Sequence, residues 1–386
     1  MKQTVFLITL FCTFTASSAS AQFTSQKVDL DGYFEALPLW FSTTLPEPAG
    51  DVNYFEFRIQ NRLNLNWYAT DNLQFTGGMR TRFFSGDLVR DVPGYAEAID
   101  QDPGLLNLSW MVAETDEWYL HYIPDRLYGE WFNDDWSVRV GRQRVNWGIN
   151  SVTNPNDLFN IYSFYDFAYP ERPGSDAIRI QRFLDFASRV EVAIRPSQDM
   201  KESVAAFLYS WNQSGYDWQI LGGYYRNQAA IGGGWAGSAG MAGVKGEISA
   251  FYDFDEREND LSLVAVISAD YMFDNSLFLI VEGLYNSRGG QNRFSVIGQQ
   301  LSADNPSFSR FQFTTSATYP ISPILSGSIT GVIYPDEQSV FLSPQFSWSV
   351  AENMDFTVLS QFFYGSSSSA FSDAGIVLAG SLKWNF

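Results

Sequence analysis

Between Tyr54 and Trp67 the chain reads Y-F-E-F-R-I-Q-N-R-L-N-L-N-W, and its two alternating sets of side chains have opposite character. Phe55, Phe57, Ile59, Asn61, Leu63, Leu65 and Trp67 form one set; Tyr54, Glu56, Arg58, Gln60, Arg62, Asn64 and Asn66 form the other. Strand side chains point to opposite faces in turn, so this is a strand with one apolar and one polar face. It is longer than the roughly five or six residues usual in soluble proteins. It suits a tilted membrane-crossing strand of about 9–11 residues plus its ends. After a turn at residues 70–72 the pattern repeats, with Leu73, Phe75, Met79 and Phe83 on one face and Gln74, Thr76, Arg80 and Arg82 on the other.

The same alternation runs to the last residue. Ile376, Leu378, Gly380, Leu382, Trp384 and Phe386 share a face, and Val377, Ala379, Ser381, Lys383 and Asn385 share its opposite. In a closed barrel the last strand pairs with the first, because an open edge in lipid leaves backbone groups unsatisfied at several kcal/mol each. A terminal strand must then be complete to its end. Leu382, Trp384 and Phe386 resemble the C-terminal assembly signal of Gram-negative outer-membrane barrels, which implies recognition by the barrel assembly machinery. The competing reading is the last strand of a soluble sandwich.

Residues 1–21 read as a cleaved signal peptide: a short positive start at Lys2, a mostly apolar run from Val5 to Phe14, and Ala19-Ser20-Ala21 before Gln22. Cys12 is the only cysteine and lies in that segment, so disulfides, thiolate chemistry and cysteine metal sites are not expected in the exported chain. The 386 residues carry a net charge of −19, which argues against nucleic acid as a partner. Aromatic residues make up 17%, against the disorder that acidity alone would suggest. After the signal there is no run of about 18 apolar residues that would form a spanning helix.

These features predict an all-β fold: a transmembrane antiparallel β-barrel of about 16 strands, within a range of 14–18, in a single domain at residues 52–386. Residues 22–51 are either the first strand or a small hatch. The stretches 28–39 and 229–240, the latter rich in glycine, are ambiguous as strands. Short connections (70–72, 133–135, 274–275, 320–323 and 351–353) and long ones (85–117, 147–175 and 287–307) sort to opposite ends when counted back from a periplasmic C-terminus.

Polar residues opposite a lipid-facing stripe line the bore. Glu56, Arg58, Arg62, Arg80 and Arg82 thus form a charged wall, read either as a device that sorts ions and guides an anionic solute or as an ion-pair ladder. Of the 19 arginines, 14 lie between Tyr54 and Arg195. The acidic 85–117 connection attracts cations, but reads first as a solvated surface loop.

The most distinctive stretch is V-R-V-G-R-Q-R-V-N-W-G-I-N-S-V-T-N-P-N-D-L-F-N, residues 138–160. A strand passes Arg142, Gln143 and Arg144 into Trp147-Gly148; Asn154-Pro155 then opens a turn, with Asp157 placed to bond the backbone locally. With N-R-L-N-L-N-W-Y at 61–68 and I-G-G-G-W-A-G at 231–237, this G-R-Q…N-W-G strand end resembles a poorly characterised family of porin-like outer-membrane barrels. The resemblance implies an outer-membrane location and passage of small solutes, with no specific cargo. The loop continues through Phe159, Tyr162, Phe164, Tyr165, Phe167 and Tyr169 to Arg172. The expectation is that it folds inward as a constriction, with Arg142, Arg144, Asp157 and Arg172 near the narrowest point; the alternative is aromatics capping the rim or packing on lipopolysaccharide.

One histidine, His121, and no G-x-S-x-G leave no sign of a catalytic centre, and a histidine-cluster metal site is impossible. The expectation is therefore a channel, with no enzyme activity, cofactor or metal. A structural or adhesive barrel with a filled lumen is the first alternative and a barrel enzyme the second. Expected partners are outer-membrane lipid, lipopolysaccharide and small solutes, with a homotrimer as the assembly that analogy suggests.

Overall fold

The computed structural model describes residues 23–25, 27–45, 50–102, 104–161, 165–255, 261–290, 301–366, 369, 371 and 375–386. The expected signal peptide lies outside these residues, as do Tyr162 and Phe164 of the aromatic loop. Twenty strands are described: β1 (Phe23–Ser25), β2 (Val28–Leu45), β3 (Gly50–Thr70), β4 (Leu73–Gly86), β5 (Trp110–Glu114), β6 (Trp118–Phe132), β7 (Trp136–Gln143), β8 (Ser175–Phe183), β9 (Arg189–Arg195), β10 (Val204–Gln213), β11 (Tyr216–Tyr225), β12 (Gln228–Ala239), β13 (Ala242–Asp253), β14 (Leu261–Met272), β15 (Phe278–Asn286), β16 (Phe311–Ser322), β17 (Leu325–Tyr334), β18 (Ser339–Ala351), β19 (Met354–Gly365) and β20 (Ile376–Asn385). No helix among the described residues is long and apolar enough to cross a membrane.

Pairing is antiparallel throughout. It steps from each strand to the next, except that β4 pairs with β6, and β20 returns to β2. Eighteen strands close the barrel; β1 pairs with the foot of β2, and β5 lies beside the upper part of β6. The closing seam explains the aromatic terminus. Gly32 and Phe386 exchange both backbone hydrogen bonds, at 3.0 and 2.9 Å. Phe34 stacks on Trp384 and lies 5.7 Å from the Phe386 ring.

Alternation places apolar side chains outside and polar ones inside. On β3, Phe55 and Trp67 are 45% and 46% exposed on the outer surface, whereas Glu56 and Gln60 are fully buried within. Exposed Ile231, Ile267, Phe313, Phe346 and Leu382 continue the outer apolar band around the cylinder. A surface this apolar is not left to water. One end of the barrel carries only short turns, and the long connections all lie at the other, together with the short turns at 226–227 and 335–338.

The expected count of about 16 strands falls short by two, and the difference lies in the ambiguous stretches, which form β2 and β12. Glycines ordinarily weaken a strand. In β12 they make room: a Cβ on Gly232 would meet Asn156 Oδ1 at 2.6 Å and one on Gly234 would meet Ile149 at 3.0 Å, both from a loop lying on the strand. In β2, Pro38 lacks a donor, and the ladder to β20 skips Leu37 and Pro38 while the ladder to β3 runs unbroken. Val28–Leu45 forms a strand of the barrel, β2.

Two further expectations are corrected. The 85–117 connection is not simply solvated: one-turn helices at Asp87–Asp91 and Tyr95–Ile99 bury Leu88, Val89, Tyr95 and Ala96 against Phe84 and Tyr119. The inner face is also not uniformly polar. Towards the long-loop end, Ala193, Leu208, Leu221, Phe251, Val264 and Leu284 face inward and pack on Val145, Trp147, Leu158 and Phe159. Inward apolar residues are tolerated there because a segment of the chain, not water, covers them.

Candidate functional site: a loop across the bore

Residues 144–161 leave the top of β7 into the interior of the barrel, and residues 165–174 lie across it. Gly141 sits at φ 122°, where a Cβ would meet the Leu127 carbonyl at 2.3 Å, so only glycine allows this exit. The Trp147 indole, 1% exposed, donates to Glu191 of β9 at 2.7 Å, and its carbonyl accepts from Gln219 of β11 at 2.8 Å. Glu247 of β13 accepts the backbone N–H groups of Ile149, Asn150 and Asn156 at 2.5, 2.8 and 3.0 Å. Glu282 of β15 accepts those of Val152 and Thr153, both at 2.9 Å, and the Asn150 amide at 3.1 Å. Two wall carboxylates thus take over the backbone donors of a segment that forms no ladder of its own, as a buried loop requires.

The loop then reaches the opposite wall. The Tyr165 carbonyl accepts from Gln361 of β19 at 2.9 Å, its ring sits edge-on to Phe341 of β18 at 4.9 Å, and its hydroxyl meets that of Tyr334 of β17. On the return, Tyr169 donates to Asp125 of β6 at 2.9 Å, and Arg126 donates to the Glu171 carbonyl at 2.7 Å.

Between the returning loop, the 85–117 connection and the walls of β2 to β7, β19 and β20 lies a cavity of about 540 Å³. Glu56, Arg58, Arg80 and Arg82 all border it, while Arg62 is buried beside it in an ion pair with Asp125. Arg58 pairs with Glu56 at 2.7 Å, and Glu56 also accepts the Tyr95 hydroxyl. Arg80 lies over the Tyr169 ring at 3.5 Å. Arg82 donates to Nδ1 of His121 at 3.0 Å; Nε2 of His121 is 2.7 Å from Ser109, which in turn donates to Asp100 at 2.6 Å. This chain of contacts suits a neutral His121 protonated at Nε2.

Arg142 also borders the cavity, where it acts as a clamp. Its guanidinium, 3% exposed, donates to Asp176 of β8, Asp102, and the carbonyls of Pro124 and Leu106. It joins β6, β8 and the 85–117 connection where β7 is too short to continue the wall. Gln143, fully buried, donates to the Ala177 carbonyl at 2.9 Å. Arg144 donates to Asn146 at 3.1 Å. Gly148 and Asn154 touch: a Cβ on Gly148 would meet that of Asn154 at 2.4 Å. The turn expected at Asn154-Pro155 is closed by the Asp157 N–H on the Asn154 carbonyl at 3.1 Å. Asp157 is buried, and its Oδ1 has no hydrogen-bond partner among the described residues. Burial pushes its carboxyl up to about 7, against the pull of Arg144 and Arg172. Arg172 borders the cavity, and its carbonyl accepts from Arg126 at 3.1 Å.

Glu247, Glu282 and Asp125 were not singled out from the sequence. The two glutamates carried a usable signal, a lone acid on the inward parity of V-K-G-E-I and I-V-E-G-L. Asp125 carried none, because it is the extra residue of a bulge: Gly78 opposes Arg126 and Met79 opposes Pro124.

Solved structures share the architecture. Pseudomonas aeruginosa OccK11 matches with a TM-score of 0.58 at 7% identity, over 92% of this chain and 96% of that one. Acinetobacter baumannii OccAB4 gives 0.55 at 8% identity, over 94% and 99%. Salmonella typhi OmpF, in complex with daunomycin, gives 0.52 at 13% identity, over 95% and 100%. At these identities the likeness is one of fold: a porin-like closed antiparallel barrel. No family model matches the chain, and no curated protein matches it in sequence. The resemblance drawn from the G-R-Q…N-W-G stretch therefore stands on those motifs alone.

Proposed function

We propose that this protein is a porin-like channel of the Gram-negative outer membrane through which small hydrophilic or amphipathic solutes diffuse passively. The observation that carries the reading is the crossing loop, tied to Glu191, Glu247 and Glu282 on one wall and to Gln361 and Asp125 on others. A loop anchored in this way narrows a bore without depending on the outer rim. Barrels of 16–18 strands are wide enough to leave an aqueous path. The apolar outer band suits a lipid environment, and the short turns suit a periplasmic end. Lipid and lipopolysaccharide surround the belt in this reading, β20 presents Leu382, Trp384 and Phe386 to the assembly machinery, and a homotrimer is the assembly to test. The constriction is formed by residues 165–174 against the arginine wall, with Arg142 at its side and Gln143 bracing it from behind. His121 is held between Arg82 and Ser109.

The apolar packing of residues 145–159 in the lumen favours one second reading, a filled structural barrel. Planar-bilayer conductance separates the two. The channel reading expects a current that rises when residues 165–169 are deleted; absence of current in the intact protein overturns it, and unchanged conductance in the variant overturns the constriction.

A further inference from the structure

Above the short strand β7, the wall of the barrel is not closed by a ladder. On that side of β6, β5 pairs with residues 119–122 and β7 with residues 127–132, so residues 123–126 have no strand beside them. Among the described residues, β5 pairs with β6 alone. A backbone edge facing lipid needs partners, and here side chains supply them. Pro124 has no N–H to satisfy, and its carbonyl accepts from Arg142 at 3.2 Å. Arg142 also donates to Asp176 at 2.7 and 3.0 Å, to Asp102 at 2.7 Å and to the Leu106 carbonyl at 2.8 Å. The same two carboxylates accept the N–H groups of Leu106, at 3.1 Å, and Leu108, at 2.7 Å. Gly104 lies on this ion-pair cluster, where a Cβ would meet Asp176 Oδ2 at 2.5 Å. Residues 104–108 are thus a piece of wall fastened by one guanidinium and two carboxylates.

The seam separates lipid from the cavity. Outside, Leu106 and Trp110 are 62% and 63% exposed, and Leu127, where the β7 ladder begins, continues the outer apolar band. Inside, Asp102, Ile123, Pro124, Arg142 and Gly174 border the cavity, which also has Leu39, Phe41 and Phe167 in its lining. A ladder opens only by breaking backbone bonds along its length, whereas this seam opens when three side chains part. Ionisable groups placed at the boundary with lipid are costly and mark function. We propose that the seam is a lateral gate through which a single-chain amphiphile passes between the cavity and the surrounding lipid, with Arg142, Asp102 and Asp176 as its latch. Such a molecule is already dissolved in the lipid that faces the seam. The cavity volume lies in the range of small-molecule sites, about 300–1,000 Å³, which suits one apolar chain and not a two-chain lipid. The inference rests on the membrane location in the channel reading and not on conduction along the bore.

The test is cysteine labelling of the folded protein in liposomes. Ile123→Cys, in a Cys12→Ser background, places a single reporter on the cavity side of the seam. One reagent is a maleimide on a hexadecyl chain, dissolved in the bilayer; the other is a neutral maleimide on a tetra(ethylene glycol) chain, dissolved in the buffer. The bilayer reagent is expected to modify the reporter, and Asp102→Asn with Asp176→Asn is expected to speed that reaction at least tenfold while changing the buffer reagent less than twofold. No reaction from the bilayer overturns the proposal, as does an unchanged rate in the variant or an equal acceleration of both reagents. If the double variant fails to fold, Asp176→Asn alone decides by the same criterion. Conductance in potassium chloride is recorded in parallel. Labelling from the bilayer without conductance rejects the channel and keeps the gate; conductance without such labelling rejects the gate and keeps the channel.

Discussion

Replacing Glu247 by alanine tests whether the wall carboxylates hold the loop in the bore. The change removes the acceptor for three backbone N–H groups, those of Ile149, Asn150 and Asn156. A buried donor left without a partner costs about 1–3 kcal/mol. Water in the lumen can reach part of the segment once it loosens, so the lower end applies to each, giving about 3 kcal/mol in total. At about 1.4 kcal/mol per factor of ten, the open population rises by roughly two orders of magnitude. The assay is hydrogen exchange followed by mass spectrometry on peptides covering residues 147–158. Protection of the 149–150 and 156 amides should fall about 100-fold, with a smaller loss at Val152 and Thr153, which Glu282 still holds. The ladder of β12 and β13 should keep its protection. Unchanged exchange at 149–156 would refute the idea that Glu247 anchors the loop, and uniform loss across β12 to β14 would mean that it supports the wall instead.

Two other expectations concern the same loop. Burial raises the Asp157 carboxyl to about 7, above its ordinary range near 4, so its contribution to loop docking is complete below about pH 4 and is lost as pH rises through 7. Limited proteolysis within residues 147–175 should therefore be faster at pH 8 than at pH 5, and Asp157→Asn should reduce that difference; an identical pH profile in the variant would exclude Asp157 as its source. Gly232→Val places a side chain against Asn156 and Ser249, an overpacking that costs about 1–3 kcal/mol. Faster loop exchange with unchanged barrel migration is expected, and protection equal to the parent would show that the loop does not lie on β12.

The alternation from Tyr54 to Phe84 sets the faces of β3 and β4, because strand geometry has a period of two wherever a strand forms. The same argument placed Arg58, Arg62, Arg80 and Arg82 on the inner face and Leu382, Trp384 and Phe386 on the outer strand face, next to Phe34 of β2. It could not say which arginines have partners. Arg62 is matched by Asp125, which a bulge turns inward, and Arg142 is claimed by Asp102, forty residues away in the chain. Pairings of that kind depend on long-range closure, and no local pattern encodes them.

What the sequence determined by itself was the class of object: a cylinder of two-faced strands, with its longest connections at one end. Only the tertiary structure decided what fills it. The glycines of β12 read as weakness along the chain and turn out to be the bed of a loop, since a missing Cβ has meaning only against the neighbour it admits. Glu247 and Glu282 are single acids in apolar strands until residues 149–156 bring backbone donors to them. Side-chain alternation is a local property of a strand, whereas the occupation of the lumen depends on contacts spanning about a hundred residues or more, as between Asn156 and Glu247 or Thr153 and Glu282.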